Sequence, residues 1–234
     1  ETGTGEEIVS IFPADGSINC SLYGASKDDG LRAIKLAKSA QSQPSWRSLK
    51  PHGRARYLYA IADGIEANIE RISQIQTRDT GKTLRETAIL ASSASGTFRY
   101  FGALLESSDD LLTAQRNDSL TMSVHEPLGL VTAITPWNSP IASDAQKVAP
   151  ALAAGNAVLL KPSSWSPLVS LELARIVEST GLPKGIFSVL PGSGHEIGGL
   201  LVDHPDISKV TFTGSTKTGR SLAIKAAKKL MPIS

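Results

Sequence analysis

The sequence predicts an α/β fold in which a helical N-terminal layer is followed by a parallel sheet. Apolar residues recur at helical spacing through most of residues 27–105. From residue 129, short apolar strands alternate with helical segments, and the connections between them are short. This alternation is typical of βαβ units, whose strands are parallel.

The first half is predicted to be mostly helical. Residues 1–24 are expected to form an extended arm with a strand at Ile8–Phe12 and a turn at residues 13–16. The periodicity predicts helices that begin at Lys27, Pro51, Ile69 and Leu84, the last three of which end at Asn68, Thr80 and Leu105. Gly81 is typical of a helix C-cap before the fourth helix.

The second half is predicted to alternate between strands and helices. Strands are expected at residues 120–125, 129–135, 157–160, 186–190 and 210–212, and residues 230–234 resemble the start of another. Helices are expected at residues 141–154, 167–180, 196–202 and 217–229. Because crossovers between parallel strands are right-handed, the helices should cover both faces of the sheet.

Composition limits the partners and the compartment. Of the 234 residues, 24 are basic and 22 acidic, and the net charge of +2 does not predict a nucleic-acid partner. The one cysteine, Cys20, excludes an intrachain disulfide and favours a reducing, cytoplasmic setting. The absence of a long uncharged apolar run predicts no membrane span, and the acidic, Gly-rich N-terminus is not typical of a signal peptide. The four widely spaced histidines predict no metal site.

A short polar loop follows the strand at residues 129–135. Pro136 and Pro140 stiffen it, Trp137 is expected to pack it down, and Asn138 is then held with its amide free to donate. A fixed amide at a strand end can stabilise an oxyanion. The alternative is that Asn138 only satisfies backbone groups of the turn.

Lys161 follows the next strand and is expected to point into a ligand crevice at the end of the sheet. There it could bind ribose hydroxyls or a phosphate, and the alternative is a lysine that extends into solvent. Ser163 and Ser164 add hydroxyl donors. No carboxylate follows to repel a 2′-phosphate, which leaves room for NADP as well as NAD.

Two glycine-containing runs follow the later strands. Gly192, Gly194 and Gly198 have the spacing GxGxxxG, which differs from the dinucleotide fingerprint GxGxxG and also suits a plain strand–helix turn. At the next helix, Gly214 allows close approach, and Thr213 or Ser215 can cap the helix or leave N–H groups for a pyrophosphate.

One run imitates a different site. Gly81-Lys82-Thr83 resembles the end of a P-loop, but Gln76 stands where that motif needs glycine, and no strand is predicted before it. A P-loop is therefore not predicted.

In this order, the motifs resemble those of the NAD(P)-dependent aldehyde dehydrogenase superfamily, N-terminal portion. The resemblance covers most of the chain and is carried by Trp46, Arg54, residues 80–82, 125–129, 136–138, 151–156, 161–163 and 212–215. It implies a modified Rossmann-type sheet that is truncated before the catalytic domain. The implied division is an arm at 1–24, a helical layer at 25–117, a bridging strand at 118–127 that joins subunits, and the NAD(P)-binding core at 128–234.

The resemblance also implies roles for individual residues. Asn138 would be the oxyanion donor for a thiohemiacetal, and Lys147 would lie near the reaction centre. The implied cofactor-binding residues are Ile134, Thr135, Pro136, Trp137, Asn138, Lys161, Ser163, Ser164, Gly194, Gly198, Phe212, Thr213, Gly214, Ser215 and Thr218. A small-molecule aldehyde substrate and a homodimer or homotetramer are further implications.

Two departures from the family pattern bear on function. Ser164 stands where members often carry a glutamate, which favours NADP use, or use of both NAD and NADP. The segment with the general base and the catalytic cysteine is absent, and Cys20 cannot be assigned that role. The expectation is therefore the inactive cofactor-binding part of an aldehyde-oxidising enzyme. The alternatives are a non-catalytic dinucleotide-binding or oligomerisation module, and a nucleotide-binding fold with unrelated chemistry.

Overall fold

The computed structural model describes residues 3–234, apart from the side chains of residues 114–116. Residues 1–2 of the predicted arm lie outside the described residues. The arm contains an antiparallel hairpin of β1 (Glu7–Ile11) and β2 (Ile18–Tyr23). The strand predicted at Ile8–Phe12 is thus shifted by one residue from β1, and β2 is not predicted by the sequence.

Five helices form the layer that follows. They are α1 (Lys27–Ser42), α2 (Pro44–Arg47), α3 (Pro51–Ala67), α4 (Ile69–Thr80) and α5 (Leu84–Ser107). The four predicted starts are confirmed, and the single turn α2 was not predicted. Gly81 ends α4 with φ of 77°, as a C-cap glycine does.

A second hairpin separates the helices from the main sheet. It pairs β3 (Leu111–Arg116) with β4 (Ser119–Ser123), and Leu112 lies opposite Met122. The strand predicted at 120–125 is thus one half of a hairpin. The other half, β3, lies within residues 25–117, the range predicted to be the helical layer. The five side chains of β4 are all exposed.

The main sheet is parallel, as predicted. Its elements are β5 (Leu130–Ile134), α6 (Pro140–Ala153), β6 (Ala157–Lys161), α7 (Leu168–Ser179), β7 (Phe187–Val189), α8 (Ile197–Asp203), β8 (Ile207–Phe212) and α9 (Thr216–Ala227). The strand order is β7-β6-β5-β8. Every residue of β6 is buried, because helices cover both faces of a parallel sheet. On the outer side of β8, Val210 forms a parallel bridge with Ile233, so residues 230–234 approach the sheet as expected.

The helical layer is anchored to the turn between α6 and β6. The buried Trp46 indole donates to the carbonyl of Gly155 at 2.9 Å, and Arg54 Nε donates to the carbonyl of Ala153 at 2.9 Å. Gly155 has φ of 82°, a left-handed conformation that favours glycine. These contacts fix the helical layer against the elements that carry the site.

Candidate cofactor-binding and active site

Strand register brings the three predicted runs to one edge of the sheet. Ile134 is paired with Lys161 on one side and with Phe212 on the other. Thr135 N donates to Lys161 O at 3.2 Å, and Thr213 N donates to Ile134 O at 3.1 Å. The loops after β5, β6 and β8 therefore start side by side.

The chain also reverses direction across the sheet at this edge. From β5 it moves to β6 and β7 on one side, then crosses back to β8 on the other side of β5. Open α/β sheets bind ligands outside the strand ends at such a switch point. The gap between the loops after β5 and β8 is that point in this chain.

The loop after β5 differs from its prediction at Trp137. Trp137 is 58% exposed, so it does not pack the loop down. The loop is held instead by Ser166, whose hydroxyl donates to Trp137 O at 3.1 Å. Asn138 is exposed, and within residues 3–234 its amide makes no hydrogen bond, which argues against the turn-satisfying alternative.

Lys147 projects from α6 toward the loop after β8. Its Nζ donates to Thr213 Oγ1 at 2.7 Å. Partial burial lowers the pKa of Lys147, and the negative charge of Asp144 opposes that shift. The residue predicted near the reaction centre thus contacts one predicted to bind the cofactor.

Lys161 is 5% exposed, which argues against a lysine that extends into solvent. Burial lowers its pKa from 10.5 to about 8. Its ammonium makes no hydrogen bond or ion pair with any residue of the described part of the chain. Withdrawing most of a lysine side chain from water without a protein partner for its charge is costly, which fits a group whose partner is a ligand.

The glycines after β7 fall into two kinds. A Cβ at Gly192 would come within 2.8 Å of Ile197, so packing requires this glycine. At Gly194 and Gly198, an added Cβ would meet no atom within 4 Å. Open space at these two positions suits a ligand that passes close to the backbone.

Local contacts explain several of the other residues predicted to bind the cofactor. The Ser163 hydroxyl accepts from Trp165 N at 3.2 Å, and the Ser215 hydroxyl accepts from Thr218 N at 3.2 Å as the cap of α9. A Cβ at Gly214 would come within 2.5 Å of the Phe212 ring, so this glycine has a packing reason. Ser215 therefore caps α9, which was the alternative to a role in pyrophosphate binding.

Ser164 lines a groove with residues of β1 and of the loop after β7. The polar and charged lining residues are Glu6, Glu7, Ser164, Ser193 and Glu196. The groove lies beside the carboxyl ends of β6 and β7, which are neighbours in the sheet.

Three buried polar residues that support the site were not predicted. Gln76 Oε1 accepts from Ile141 N at 3.2 Å, and Asp79 Oδ2 accepts from Leu168 N at 2.8 Å. Gln76 and Asp79 thereby satisfy N–H groups in the first turns of α6 and α7. The spacing of three residues, which puts both side chains on one face of a helix, was the only sequence feature that could have indicated this role.

Asp144 is the third buried polar residue that was not predicted. It is fully buried on α6, and its Oδ2 accepts from the Ser170 hydroxyl of α7 at 2.5 Å. Burial raises its pKa from 3.8 to about 6. The hydrogen bond from Ser170 opposes that rise, whereas neither Thr135 Oγ1 nor Asp144 Oδ1 has a hydrogen-bond partner in residues 3–234.

The P-loop-like run has a structural role. Gly81 is the C-cap of α4, and Thr83 caps α5, where its hydroxyl accepts from Glu86 N. Within the described residues there is no cluster of three or more His, Cys, Asp or Glu side chains that could hold a metal ion. In the same part of the chain, no helix is long and apolar enough to cross a membrane.

Cys20 lies on β2, opposite Ser10 of β1. Burial raises the pKa of its thiol. Because the thiolate is the nucleophilic form, this environment disfavours a catalytic role.

Comparison with known proteins agrees with the fold and the motifs. The chain matches the Aldehyde dehydrogenase family over residues 1–234. It is 42% identical to Betaine aldehyde dehydrogenase 2 of Rhizobium meliloti (strain 1021), over 100% of this chain and 48% of that protein.

Solved structures give the same result. The aldehyde dehydrogenase KauB from Pseudomonas aeruginosa matches with a TM-score of 0.96 at 33% identity, over 100% of this chain and 48% of that one. Betaine aldehyde dehydrogenase (betB) from Staphylococcus aureus, in complex with NAD+, matches with a TM-score of 0.95 at 32% identity, over 100% of this chain and 46% of that one. These matches confirm the predicted helical layer and modified Rossmann-type sheet.

The chain spans about half the length of the relatives that it matches. The family match over the whole sequence and the identity of 42% to a curated member show that this chain belongs to the aldehyde dehydrogenase family.

Proposed function

We propose that this chain is the cofactor-binding portion of an enzyme that oxidises an aldehyde to a carboxylic acid with NAD(P)+. The observation that carries the proposal is the register at Ile134, which aligns Lys161 at the end of β6 with the starts of the loops that bear Asn138 and Thr213. Membership of the aldehyde dehydrogenase family supports aldehyde oxidation in general.

The residues present fit a dinucleotide. The ammonium of Lys161, on a residue that is only 5% exposed, would bind ribose hydroxyls or a phosphate, beside Ser163 and Ser164. Open space at Gly194 and Gly198 would admit the adenine end, and Thr213 and Ser215 would lie near the pyrophosphate. When bound, the cofactor supplies a hydride acceptor.

Asn138 would act on the substrate. Its exposed amide, carried on a loop held by Ser166, would donate to the oxyanion that forms when a thiolate adds to the aldehyde carbonyl. Lys147 would lie near the same centre, and its bond to Thr213 fixes its direction. The thioester formed later would be hydrolysed to the acid.

The thiolate must come from outside these 234 residues. Cys20 is the only cysteine in the sequence, and burial raises its pKa. We therefore expect the 234-residue chain alone to bind cofactor without turnover.

Turnover of an aldehyde by the full-length gene product tests the proposal. Betaine aldehyde is the first substrate to assay, because two of the relatives are betaine aldehyde dehydrogenases. Asn138→Ala should lower kcat by about 100- to 1,000-fold, the usual effect of removing an oxyanion donor. Gln74→Ala, which truncates an exposed side-chain amide on α4, is the matched control.

The outcomes separate the proposal from its alternatives. Cofactor binding without turnover on any aldehyde, even in the full-length product, would identify a non-catalytic binding module. Unchanged NAD(P)+ affinity in Lys161→Ala would count against the site itself. Lys184→Ala is its control, since Lys184 is exposed in the loop after α7.

We also propose that the β3–β4 hairpin joins two copies of this chain. Leu111, Leu112, Leu120 and Met122 are each at least 61% exposed. A two-stranded hairpin with exposed apolar side chains is marginally stable alone, so a partner is expected to cover it. A second copy is the proposed partner because the family resemblance places a subunit-bridging strand here.

A further inference from the structure

The loop that carries Asn138 is attached to the protein interior on both sides of that residue. On its N-terminal side, the Ser166 hydroxyl donates to the carbonyl of Trp137 at 3.1 Å. On its C-terminal side, Ile141 N donates to Oε1 of Gln76 at 3.2 Å. Ser166 and Gln76 are 1% and 0% exposed, so both attachments are made by side chains that are shielded from water.

The first attachment acts on the peptide unit that leads into Asn138. The carbonyl of Trp137 belongs to the same planar unit as the nitrogen of Asn138, so a bond to this oxygen limits rotation of the whole unit. The side-chain amide of Asn138 makes no hydrogen bond with the described residues. Its direction therefore depends on the backbone that carries it.

The second attachment caps α6 from another helix. The N-cap residue Ser139 makes no side-chain capping bond, and Pro140, the first residue of α6, has no N–H. Ile141 N is thus the first donor of the helix, and Gln76 of α4 accepts from it. This is the only hydrogen bond of the Gln76 side chain within residues 3–234, because its Nε2 has no partner there.

The same turn of α4 also fixes the segment that carries Ser166. Asp79, three residues after Gln76, accepts through Oδ2 from Leu168 N at 2.8 Å, and Leu168 lies two residues beyond Ser166. Asp79 is buried as well. One turn of α4 therefore supports both attachments, directly through Gln76 and by way of Asp79 at Ser166.

We infer that Ser166 and Gln76 are positioning residues, which direct the amide of Asn138 toward the oxyanion. The inference rests on the proposed function, since it requires Asn138 to be the oxyanion donor. Such a donor stabilises the transition state only when it lies within hydrogen-bond distance of the position that the oxyanion occupies. A displacement of about 1 Å can lower a rate by about 100-fold, so loss of either attachment should slow the reaction.

Steady-state kinetics of the full-length gene product with betaine aldehyde and NAD+ test the inference. Ser166→Ala should lower kcat and kcat/KM for the aldehyde equally, by about 10- to 100-fold, because the lost interaction acts in the transition state. Gln76→Met, which removes the acceptor and keeps the size of the side chain, should act in the same way. Ser166→Thr keeps the hydroxyl and should restore most of the rate.

Ser95→Ala is the matched control. Ser95 is 0% exposed, and its hydroxyl also donates to a backbone carbonyl, that of Ala62, at 3.1 Å. Because Ser95 lies on α5 and does not contact the loop of Asn138 through this bond, Ser95→Ala should leave kcat unchanged.

A double-mutant cycle separates positioning from a general structural effect. If Ser166 acts through Asn138, Ser166→Ala should lower kcat by less than about twofold once Asn138 is already alanine. An equal loss in both backgrounds, or wild-type kcat in Ser166→Ala and Gln76→Met, would overturn the inference while leaving Asn138 as the donor. Wild-type kcat in Asn138→Ala would overturn the proposed role of Asn138 and this inference with it.

Discussion

The ammonium nitrogen of Lys147 donates a hydrogen bond to the hydroxyl of Thr213 at 2.7 Å. Lys147 lies on the helix after β5, and Thr213 lies in the loop after β8, so the bond crosses the switch point of the sheet. It holds a partly buried cation beside the loop that carries the proposed pyrophosphate-binding residues.

Thr213→Val should therefore destabilise the protein. The substitution removes this hydrogen bond, and because the pair is open to water the expected loss of unfolding free energy is about 0.5–1.5 kcal/mol. Urea unfolding measures the loss. Thr213→Ser keeps the hydroxyl and should stay close to wild type; a valine variant as stable as wild type would show that the bond contributes nothing.

Asp144→Asn should change how stability depends on pH. The pKa of Asp144 is about 6 in the folded chain against 3.8 for the free group, so the folded state holds the proton more tightly. Stability from this group therefore falls as pH rises from about 4 through 6. Because asparagine does not ionise, the variant should gain about 2 kcal/mol relative to wild type between pH 4.5 and pH 8.

Urea unfolding at the two pH values measures that gain. Glu178→Gln removes an exposed carboxylate and is the control, for which a difference under about 0.5 kcal/mol is expected. If Asp144→Asn and wild type keep the same difference in stability at both pH values, Asp144 titrates normally and its burial has been misjudged.

The affinity for NAD+ should fall as pH rises through 8. Burial lowers the pKa of Lys161 to about 8, so its ammonium loses its charge over this range. A charge-assisted hydrogen bond is stronger than a neutral one by about 1 kcal/mol, which corresponds to about fivefold in affinity. Calorimetry between pH 7 and pH 9 measures the effect.

Two variants separate the charge of Lys161 from other titrations. Lys161→Gln should bind NAD+ more weakly and with no change between pH 7 and pH 9, since glutamine carries no charge. Lys161→Arg should also remove the pH dependence, because arginine stays protonated. An unaltered pH profile in both variants would assign the titration to another group.

Substitution in the β3–β4 hairpin should change the oligomeric state. Leu112 and Met122 lie opposite each other and are 65% and 61% exposed. Leu112→Lys with Met122→Lys should convert a dimer or tetramer to a monomer, as measured by light scattering after size exclusion. Ile89→Lys, at a 62% exposed position on α5, is the control; a wild-type monomer would contradict the proposed interface.

The sequence predicts β5, β6 and β7 well because these strands are short apolar runs bounded by Gly, Pro or Asn. It predicts only the second half of β8, whose first half contains the polar residues Ser208 and Lys209. It missed β2 and β3, whose alternation is weak and whose residues are half-buried or exposed where they are described. An exposed strand carries little of the hydrophobic periodicity on which the prediction depends.

Among site residues, position along the chain was easier to predict than burial. The ends of β5, β6 and β8 placed Asn138, Lys161 and Thr213 at one edge, but periodicity alone did not show that Lys161 is buried or that Trp137 is exposed. Asp144 was missed because a single carboxylate in a helix is usually solvent-exposed. Only its packing against Ser170 of α7 identifies it.

A crystal structure of the full-length gene product with NAD+ tests the central claim most directly. The account predicts the dinucleotide at the carboxyl ends of β5, β6 and β8, with an adenosine ribose hydroxyl within hydrogen-bond distance of Lys161 Nζ and the adenine end near Gly194 and Gly198. A dinucleotide bound elsewhere on the molecule, with Lys161 still without a partner, would contradict it.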